Sequence, residues 1–590
     1  MSTPRRPLAA FHRPCALATI AAAVAGCSNP FAPLPGERGE RVPLERLRSI
    51  ERFDFDRYAT VGAPPPTQMS NDSLRRPPSR FDGMESYDLA VDEVRAATLA
   101  NNLDLRVALV DPLIAGESLR REEAKFEAVF RPNLRYREDD SPTLNTTSSN
   151  QQDSLGFSGA VDIPLRTGGR ASVDFSENTS ETSNPFVTLN SSYSSALTFS
   201  LSHPLLRNAG HEVNSHSIRV AAYNEQISEA RTKLEVIRQL AASDRAYWRL
   251  YAARRELDVR QQQYDLAMAQ LEQAQRRVRA RDAAEIEVTR AQAGVAQRLE
   301  AIIIAENNVL SIQRDLKRLM NLPGLDMETP VRLVTTTQPA PVPYEFDAAS
   351  LADLAVSNRM EMLELELQLA QDVSSINFAK NQALPLFTLD YSYSVQGLGA
   401  TLSKSHGQLW ANNFESWSIG LSGSIPIGNE AAKARVQEAI LSRLQRLSTK
   451  DARRLSIRQE VLSAIDSART AWQRILAARQ SAIAAAATYE AERRQNEAGA
   501  RTSTDVLDAA TRLADAQSSE IQALADYQIA LVDLSFATGT LLGASKIDWS
   551  PLDPRMEPVR STPAPAEVSG PGDAASPAPT PGEPAPDAKP

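Results

Sequence analysis

The sequence predicts a mainly α-helical protein with a β region, built by duplication of one structural unit. Three observations support this prediction. Very long stretches contain almost no glycine or proline, as long helices require. Shorter stretches alternate apolar and polar residues, as strands with one apolar face do. The same order of helices, strands, long helix, reversal and helix occurs twice, which is strong evidence of duplication.

The composition excludes several classes of protein. The chain of 590 residues is 42% hydrophobic and 23% charged, which is typical of an ordered protein. Its net charge of -9 gives no basic footprint for nucleic acid, so we expect no nucleic-acid partner. No stretch reaches the roughly 18 consecutive apolar residues that a membrane-spanning helix needs.

Residues 1–27 have the layout of a secretory signal peptide, with an arginine-bearing start and an apolar core. Their ending, Val24-Ala-Gly-Cys27, resembles a bacterial lipoprotein signal. In such a signal Cys27 would be lipid-modified and would begin the mature chain; the alternative is an ordinary cleaved signal with a chance cysteine. The only other cysteine, Cys15, lies within the signal, so we expect no disulfide and no catalytic thiol.

The first repeat is predicted to cover 87–322, after an extended, proline-rich segment at 28–86. A helical pattern begins at Tyr87, is broken at Pro112, and resumes over about 113–129.

The apolar period then changes to two over 133–203, which predicts strands, with loops at 140–153 and 177–194. A long helical hairpin follows over 214–320, with its reversal at 280–284. A proline-rich linker at 323–343 ends this half of the chain.

The second repeat is predicted to cover 344–545. Its strands lie within 386–425 and its long helical hairpin within 429–541. The Pro/Ala-rich tail at 546–590 has no packing pattern and is predicted to be disordered.

The reversal of the second hairpin is the stretch with the most functional information. Gly499 is followed by small polar residues between two helical runs, which predicts a tight turn. Asp505 and Asp508 stand three apart at the start of the returning helix, a spacing that puts both on one face. The alternative role for Asp505 is helix capping.

The predicted strands point to an oligomer. The strands pair an apolar face with a face of Ser, Thr, Gly and Asn, which fits either a soluble sandwich or a membrane barrel with a wet lumen. A handful of strands offers no second layer for a sandwich and is too few to close a barrel of eight or more. Because open edges are not viable in lipid, the barrel interpretation requires copies from other chains.

Several motifs make the resemblance to a known family specific. The stretch Gly499-Ala-Arg501-Thr-Ser-Thr-Asp505-Val-Leu-Asp508 is similar to the second-repeat tip of the TolC family of outer-membrane efflux proteins. The strand-to-helix junction Leu201-Ser-His203-Pro and the sequence Asn101-Asn-Leu-Asp104-Leu also resemble the family, as does the lipoprotein start of its lipidated branch. The resemblance covers about 87–545.

The resemblance implies a homotrimer with a shared outer-membrane β-barrel and a periplasmic α-barrel. It implies a lipid-anchored exit duct for passive transport in a tripartite efflux or type I secretion-like system. The partners would be a periplasmic adaptor (membrane fusion) protein, an inner-membrane pump and outer-membrane lipid. Asp505 and Asp508 match the family's paired aspartates at the periplasmic gate, and Arg501 matches its gate-tethering arginine.

The number of predicted strands departs from the family pattern. The strands at 155–176 form an extra hairpin beyond the family's usual four strands per chain, and this hairpin would either widen the barrel or cap it.

No P-loop, His-Glu-x-x-His motif or nucleophile elbow occurs, so we expect no enzyme, no cofactor and no metal site. The alternative function is a periplasmic helical scaffold lipoprotein without channel activity.

Overall fold

The computed structural model describes residues 74–142, 151–184 and 186–547. The predicted signal peptide, Cys27 and most of the predicted tail lie outside these residues, so those predictions stay untested. Within the described part, no helix is both long enough and apolar enough to cross a membrane.

The first half begins with strand β1 (Glu85–Leu89) and three helices. These helices are α1 (Val91–Asn101), α2 (Leu103–Ala108) and α3 (Asp111–Glu123), the last with Pro112 in its first turn, where a missing N–H is tolerated. A short 3-10 turn at Ala124–Phe126 leads into four strands. They are β2 (Val129–Asp140), β3 (Gln151–Pro164), β4 (Arg170–Thr182) and β5 (Ser192–Pro204).

The long helical hairpin of the first half consists of α5 (His216–Arg279) and α6 (Glu285–Met320), after the single turn α4 (His211–Asn214). At 1.5 Å per residue, the 64 residues of α5 extend about 96 Å. Strand β6 (Val331–Thr335) then precedes the second half.

The second half repeats this plan with fewer strands. It contains helices α7 (Ala348–Asn358) and α8 (Met360–Gln382), and strands β7 (Leu386–Gly399) and β8 (Phe414–Ser424) with helix α9 (Leu402–Trp410) between them. Its hairpin consists of α10 (Glu430–Glu497) and α11 (Ser503–Ala537), followed by the single turn α12 (Leu541–Ala544). The predicted bounds of the long hairpins, 214–320 and 429–541, therefore agree with the helices to within two residues in the first half and four in the second.

Six strands form one antiparallel sheet in the order β2-β3-β4-β5-β7-β8. Every neighbouring pair stays in register along nearly its whole length. Phe157, Phe175, Leu197 and Tyr391 share one face, while the opposite face carries mostly small polar residues. The predicted alternation of apolar and polar faces is therefore confirmed. Strand β2 starts at Val129, earlier than predicted, and includes Pro132, which is tolerated because β2 is an edge strand.

Two local predictions were wrong. Tyr87 lies in the middle of strand β1 and does not begin a helix, which starts only at Val91. Strand β1 pairs in parallel with β6, inside the predicted proline-rich linker. This pairing joins segments far apart in sequence, so no local pattern indicates it. The connector predicted at 177–194 is shorter, since β4 runs to Thr182 and β5 starts at Ser192.

The end of the predicted extended leader also packs against the core. Leu74 and Phe81 are buried in a hydrophobic cluster with residues of α5 and α6. The backbone there is fastened to α5, since the Tyr264 hydroxyl donates to the Leu74 carbonyl oxygen at 2.7 Å and accepts from the Arg76 amide at 2.8 Å. The segment from 74 onward is thus part of the folded core and not an uncored extension.

Candidate functional site

The tip of the second hairpin holds the residues that sequence analysis singled out. Gly499 has φ +76°, a left-handed conformation that glycine adopts without strain, and it ends α10. The Asn496 side-chain amide donates to the Arg501 carbonyl oxygen at 2.8 Å, which braces the turn. The predicted reversal at Gly499 is therefore present in the structure.

Asp505 is engaged in a capping box with Thr502. Its carboxylate accepts hydrogen bonds from the Thr502 amide at 3.0 Å and from the Thr502 hydroxyl at 2.9 Å. The Thr502 hydroxyl in turn accepts from the Asp505 amide, which completes the reciprocal pattern. These hydrogen bonds to the charged form lower the pKa of Asp505, with a smaller contribution from the nearby Arg501 guanidinium.

Asp508 lies one turn further along α11 and is exposed. No hydrogen bond or ion pair to its carboxylate occurs among the residues that the structure describes. Its negative charge nevertheless acts on the Arg298 guanidinium of α6 and favours the charged form of that arginine. Two carboxylates three residues apart therefore have different environments. Asp505 caps its own helix, and Asp508 presents an exposed carboxylate near the tip.

Arg501 contacts its own hairpin. Its Nε donates to the Gln495 amide oxygen at 3.2 Å and lies 3.4 Å from the Glu492 carboxylate, both on α10. The resemblance predicted a tether to neighbouring helices. In the single chain this guanidinium instead bridges the turn to the preceding helix.

The tip of the first hairpin is built differently. Arg281 takes the left-handed conformation there with φ +63°, and Ala284 precedes α6 without any side-chain cap. Glu285 and Glu287 are the acidic residues of the first turn of α6. This tip therefore has acidic residues but lacks the capping box of the second tip.

The two tips lie side by side along the helices. The side-chain amide of Gln263 on α5 donates to the Ala510 carbonyl oxygen at 3.0 Å. Arg260 of α5 lies 3.4 Å from the Asp515 carboxylate of α11. Leu507 packs close to Gly294, where an added Cβ would stand 3.0 Å from a Leu507 methyl group. These contacts fix α11 against the first hairpin near both reversals.

The open edges of the sheet are a feature that sequence analysis only implied. In the described part of the chain, β2 and β8 each have a strand partner on one side only. Their apolar side chains are exposed: Trp417 and Leu421 on β8 are 67% and 65% exposed, and Leu134 on β2 is 72% exposed. Each of these edges presents a row of backbone groups that can pair with a strand of another chain.

The helical layer has open edges as well. Helix α5 packs against α6 on one side and α11 on the other, and α11 packs against α10. Helix α10 therefore lies at one edge, and it has an apolar stripe at heptad spacing, Leu455, Leu462, Leu476 and Ile483, which is 46–69% exposed. Ile457, two residues after Leu455, is fully buried in the hairpin, so the stripe lies on the opposite side of the helix.

The histidines near the first strand-to-helix junction serve structural contacts. His203 Nδ1 lies 2.6 Å from the Pro204 carbonyl oxygen, and His216 stacks on Phe378 with ring centroids 4.6 Å apart. Among the described residues, no group of three or more His, Cys, Asp or Glu is placed to hold a metal ion.

Comparisons with known proteins agree with the predicted resemblance. Residues 351–540 match the family model described as outer membrane efflux protein. The outer membrane protein TolC of Escherichia coli (strain K12) is 25% identical over 308 residues, which is 50% of this chain and 60% of TolC. The chain thus spans less than two thirds of that relative. The match to a family of efflux proteins supports the prediction that the chain is not an enzyme.

Solved structures share the fold. The Campylobacter jejuni CmeC outer membrane channel has a TM-score of 0.57 at 15% identity, over 82% of this chain and 94% of CmeC. A membrane protein from Pseudomonas aeruginosa has a TM-score of 0.58 at 18% identity, over 76% of this chain and 92% of that protein. The predicted fold class, mainly helical with a β region and TolC-like, is confirmed.

Proposed function

We propose that this chain, a TolC-like protein by its family match and its fold, forms a passive channel through the outer membrane of a Gram-negative-type bacterium as a homotrimer. The observation that carries this proposal is the six-stranded sheet with two open edges and one exposed apolar face. In lipid, every backbone polar group of a strand needs a partner, so β2 of one copy pairs with β8 of the next. The apolar face then contacts lipid and the polar face lines the lumen.

The helices support the same arrangement. The edge helix α10 exposes its leucine stripe, and α6 at the other edge exposes Ile303 and Ile304, which are 45% and 63% exposed. Packing α10 of one copy against α6 of the next removes both apolar surfaces from water. This contact joins two different surfaces, so repeating it gives a ring when the rotation between copies closes, as it does at 120° in the proposed trimer.

The remaining parts of the proposal follow the family resemblance. The channel is the exit duct of a tripartite efflux or type I secretion-like system, with a periplasmic adaptor protein and an inner-membrane pump as partners. The pump supplies the energy. Lipid attachment at Cys27 adds an anchor in the outer membrane, and a single acyl chain alone would hold it weakly. Metabolic labelling with palmitate tests this anchor: Cys27→Ala abolishes the label if lipidation occurs there.

Single-channel recording in planar lipid bilayers tests the channel. The purified protein is expected to give discrete conductance steps. A periplasmic scaffold lipoprotein, the alternative function, would bind the bilayer and give no steps. The double variant Leu455→Glu with Leu462→Glu serves as a matched control, since it keeps every strand and is expected to lose the steps with the assembly.

We also propose that Asp508 and Asp505 form the negative ring of a periplasmic gate, with Gly499 making its turn and Arg501 tethering it. Carboxylates repeated around an axis concentrate negative potential in a narrow wet pore and favour cations. Asp508 is suited to this role because its carboxylate is exposed and makes no hydrogen bond or ion pair among the described residues. Asp505 would contribute while also capping α11.

Reversal potentials under a salt gradient separate the two roles of Asp505. Asp508→Asn and Asp505→Asn are expected to move the reversal potential towards zero. Thr502→Ala breaks the same capping box without removing a carboxylate, so it is the matched control and leaves selectivity unchanged. If Thr502→Ala shifts selectivity as much as Asp505→Asn does, Asp505 acts through the cap and not through its charge.

A further inference from the structure

The first β region contains a hairpin that the second lacks. In the second half, β7 follows the short helices and β8 leads into the long helix α10. In the first half, β2 and β5 hold these two places, and β3 and β4 stand between them. The duplicated unit thus has two strands, and the β3–β4 hairpin is an insertion of two more.

The inserted hairpin lies in the plane of the sheet. Its strands of 14 and 13 residues are as long as their neighbours β2 and β5, and both pair with them throughout. The faces also agree across it: Phe130, Val161, Val173 and Phe199 are successive partners on the apolar face. A hairpin that capped an opening would leave this plane, so the insertion is part of the wall.

The turn of the hairpin is fastened to the base of the sheet. The Gly210 amide, at the start of α4, donates to the Thr167 carbonyl oxygen at 2.9 Å. Gly168 has φ +98°, and a Cβ there would lie 2.1 Å from the Asn208 carbonyl oxygen. Only glycine fits at this approach. The close fit fixes the last residues of β3 and the first residues of β4 against the base of the sheet.

We infer that the outer-membrane section of this channel is wider than a wall of two strands per repeat would make it. This inference rests on the proposed trimer. Each subunit contributes six strands, which gives about eighteen instead of about twelve in three copies. With strands about 4.8 Å apart and tilted by roughly 40°, the barrel diameter rises from about 24 Å to about 36 Å.

The lining of the added wall indicates what can pass. The polar face of the hairpin contributes Ser158, Ser172, Ser176 and Asn178, small groups that hydrogen-bond to water. A wide lumen lined in this way suits bulky hydrophilic solutes, which cross with their hydration. The selective constriction then lies in the helical section and not in the barrel.

Cysteine labelling tests whether the hairpin lines the lumen. Ser176→Cys on the hairpin is matched by Ser200→Cys on the polar face of β5, and Val173→Cys by Phe199→Cys on the apolar face. The native cysteines are the same in the variants and in wild type, so wild-type protein gives the background. A charged, membrane-impermeant methanethiosulfonate is expected to reduce the current through Ser176→Cys and Ser200→Cys alone.

The outcomes distinguish a failure of the inference about the hairpin from a failure of the proposed channel. A current that falls for Ser200→Cys but not for Ser176→Cys places the hairpin outside the wall, and it overturns the inference while the channel stands. Protein that gives no conductance steps at all contradicts the proposed channel itself. Reduction at Val173→Cys equal to that at Ser176→Cys also overturns the inference, because a wall strand exposes only one face to the lumen.

Deletion of residues 151–182 tests the width directly. The register of the sheet brings Phe130 opposite Phe199 and Arg131 opposite Thr198 after this deletion, so β2 and β5 remain antiparallel with matching faces. Polyethylene glycols added on the barrel side are expected to show a cut-off radius about a third smaller than for wild type. An unchanged cut-off in an assembled variant overturns the inference; if the variant does not assemble, the cysteine pairs decide.

Discussion

The first helices of the two long hairpins, α5 and α10, occupy the same place in the duplicated unit. They differ in the number of their residues that are buried within the single chain. In α5, 23 of 64 residues are buried, including the fully buried Tyr247 and Leu250. In α10, only 7 of 68 residues are buried, and three of these are alanines. Duplication therefore preserved the order of elements but not their environment. Helix α5 lies in the core of the subunit, and helix α10 lies at one of its edges.

Charges placed in the exposed leucine stripe of α10 are expected to have the largest effect on assembly. Leu455→Glu with Leu462→Glu places two charges in the proposed interface, and we expect loss of the oligomer with retention of helical content. Charges buried without partners are strongly unfavourable, which is the physical reason. Size-exclusion chromatography with light scattering gives the mass, and circular dichroism gives the helix content.

Thr470→Glu is the matched control for the leucine stripe. It adds one negative charge, where the double variant adds two, at an exposed position of the same helix. Residue 469 occupies the heptad position of the stripe, and Thr470 lies about 100° around the helix from it. We expect the oligomer to persist. Dissociation of this variant would show that any added charge on α10 disrupts assembly, and it would contradict a specific role of the leucine stripe.

The next effect compares two ion pairs at related places in the two halves. Arg95 Nη2 lies 2.8 Å from Asp244 Oδ2, and the Asp244 side chain is fully buried on α5. Glu460 on α10 pairs with Arg359 but is 40% exposed. Asp244→Ala leaves a largely buried guanidinium short of a partner, so we expect a loss of about 3 kcal/mol.

Glu460→Ala is expected to cost less, about 1 kcal/mol, because water reaches this carboxylate. Thermal unfolding of the two variants in the same detergent measures the difference. Equal losses would contradict the difference in burial between helix α5 and helix α10.

A smaller effect compares the two tips. Thr502→Ala removes the capping box of the second tip and is expected to cost about 1 kcal/mol locally, or roughly a five-fold rise in amide exchange around the tip. Ala284→Asp adds a cap at the first tip and is expected to slow exchange there. Hydrogen exchange with mass spectrometry follows both tips in one sample. Unchanged exchange at both tips would show that capping does not control their opening.

The smallest effect is the response of the tips to pH. Folding lowers the pKa of Asp505, so its contribution to stability is present above the unfolded pKa and is lost as pH falls through the folded value. We expect the exchange of the second tip, corrected for intrinsic rates, to rise towards that of the first tip below about pH 4. The variant Asp505→Asn should remove most of this dependence.

Sequence patterns located the helices because their ends carry strong local signals. Gly499 and Asn321 end helices in left-handed conformations, and Pro323 stops the first hairpin. Strand alternation was equally clear. The parallel pair β1–β6 was missed because its partners are distant in sequence. Helix α9 was also missed, although Gly397, where a Cβ would lie 2.0 Å from the Ser405 carbonyl oxygen, marks where it packs on β7.

At the candidate site, the sequence identified the residues but not their partners. Spacing put Asp505 and Asp508 on one face, and the Thr502–Asp505 pattern is also that of a capping box. Only the structure shows that the carboxylate of Asp505 faces Thr502 while Asp508 stays exposed. The exposed stripe on α10 was missed because its leucines share a helix with the buried Ile457 and Ile465, and sequence alone does not tell which face is covered.

The mass of the particle extracted in mild detergent tests the central claim, that this sheet closes only with copies of itself. Native mass spectrometry is expected to give three subunits, and the same preparation is expected to give conductance steps. A monodisperse monomer that conducts would contradict the account, since a single chain would then complete a pore without its neighbours.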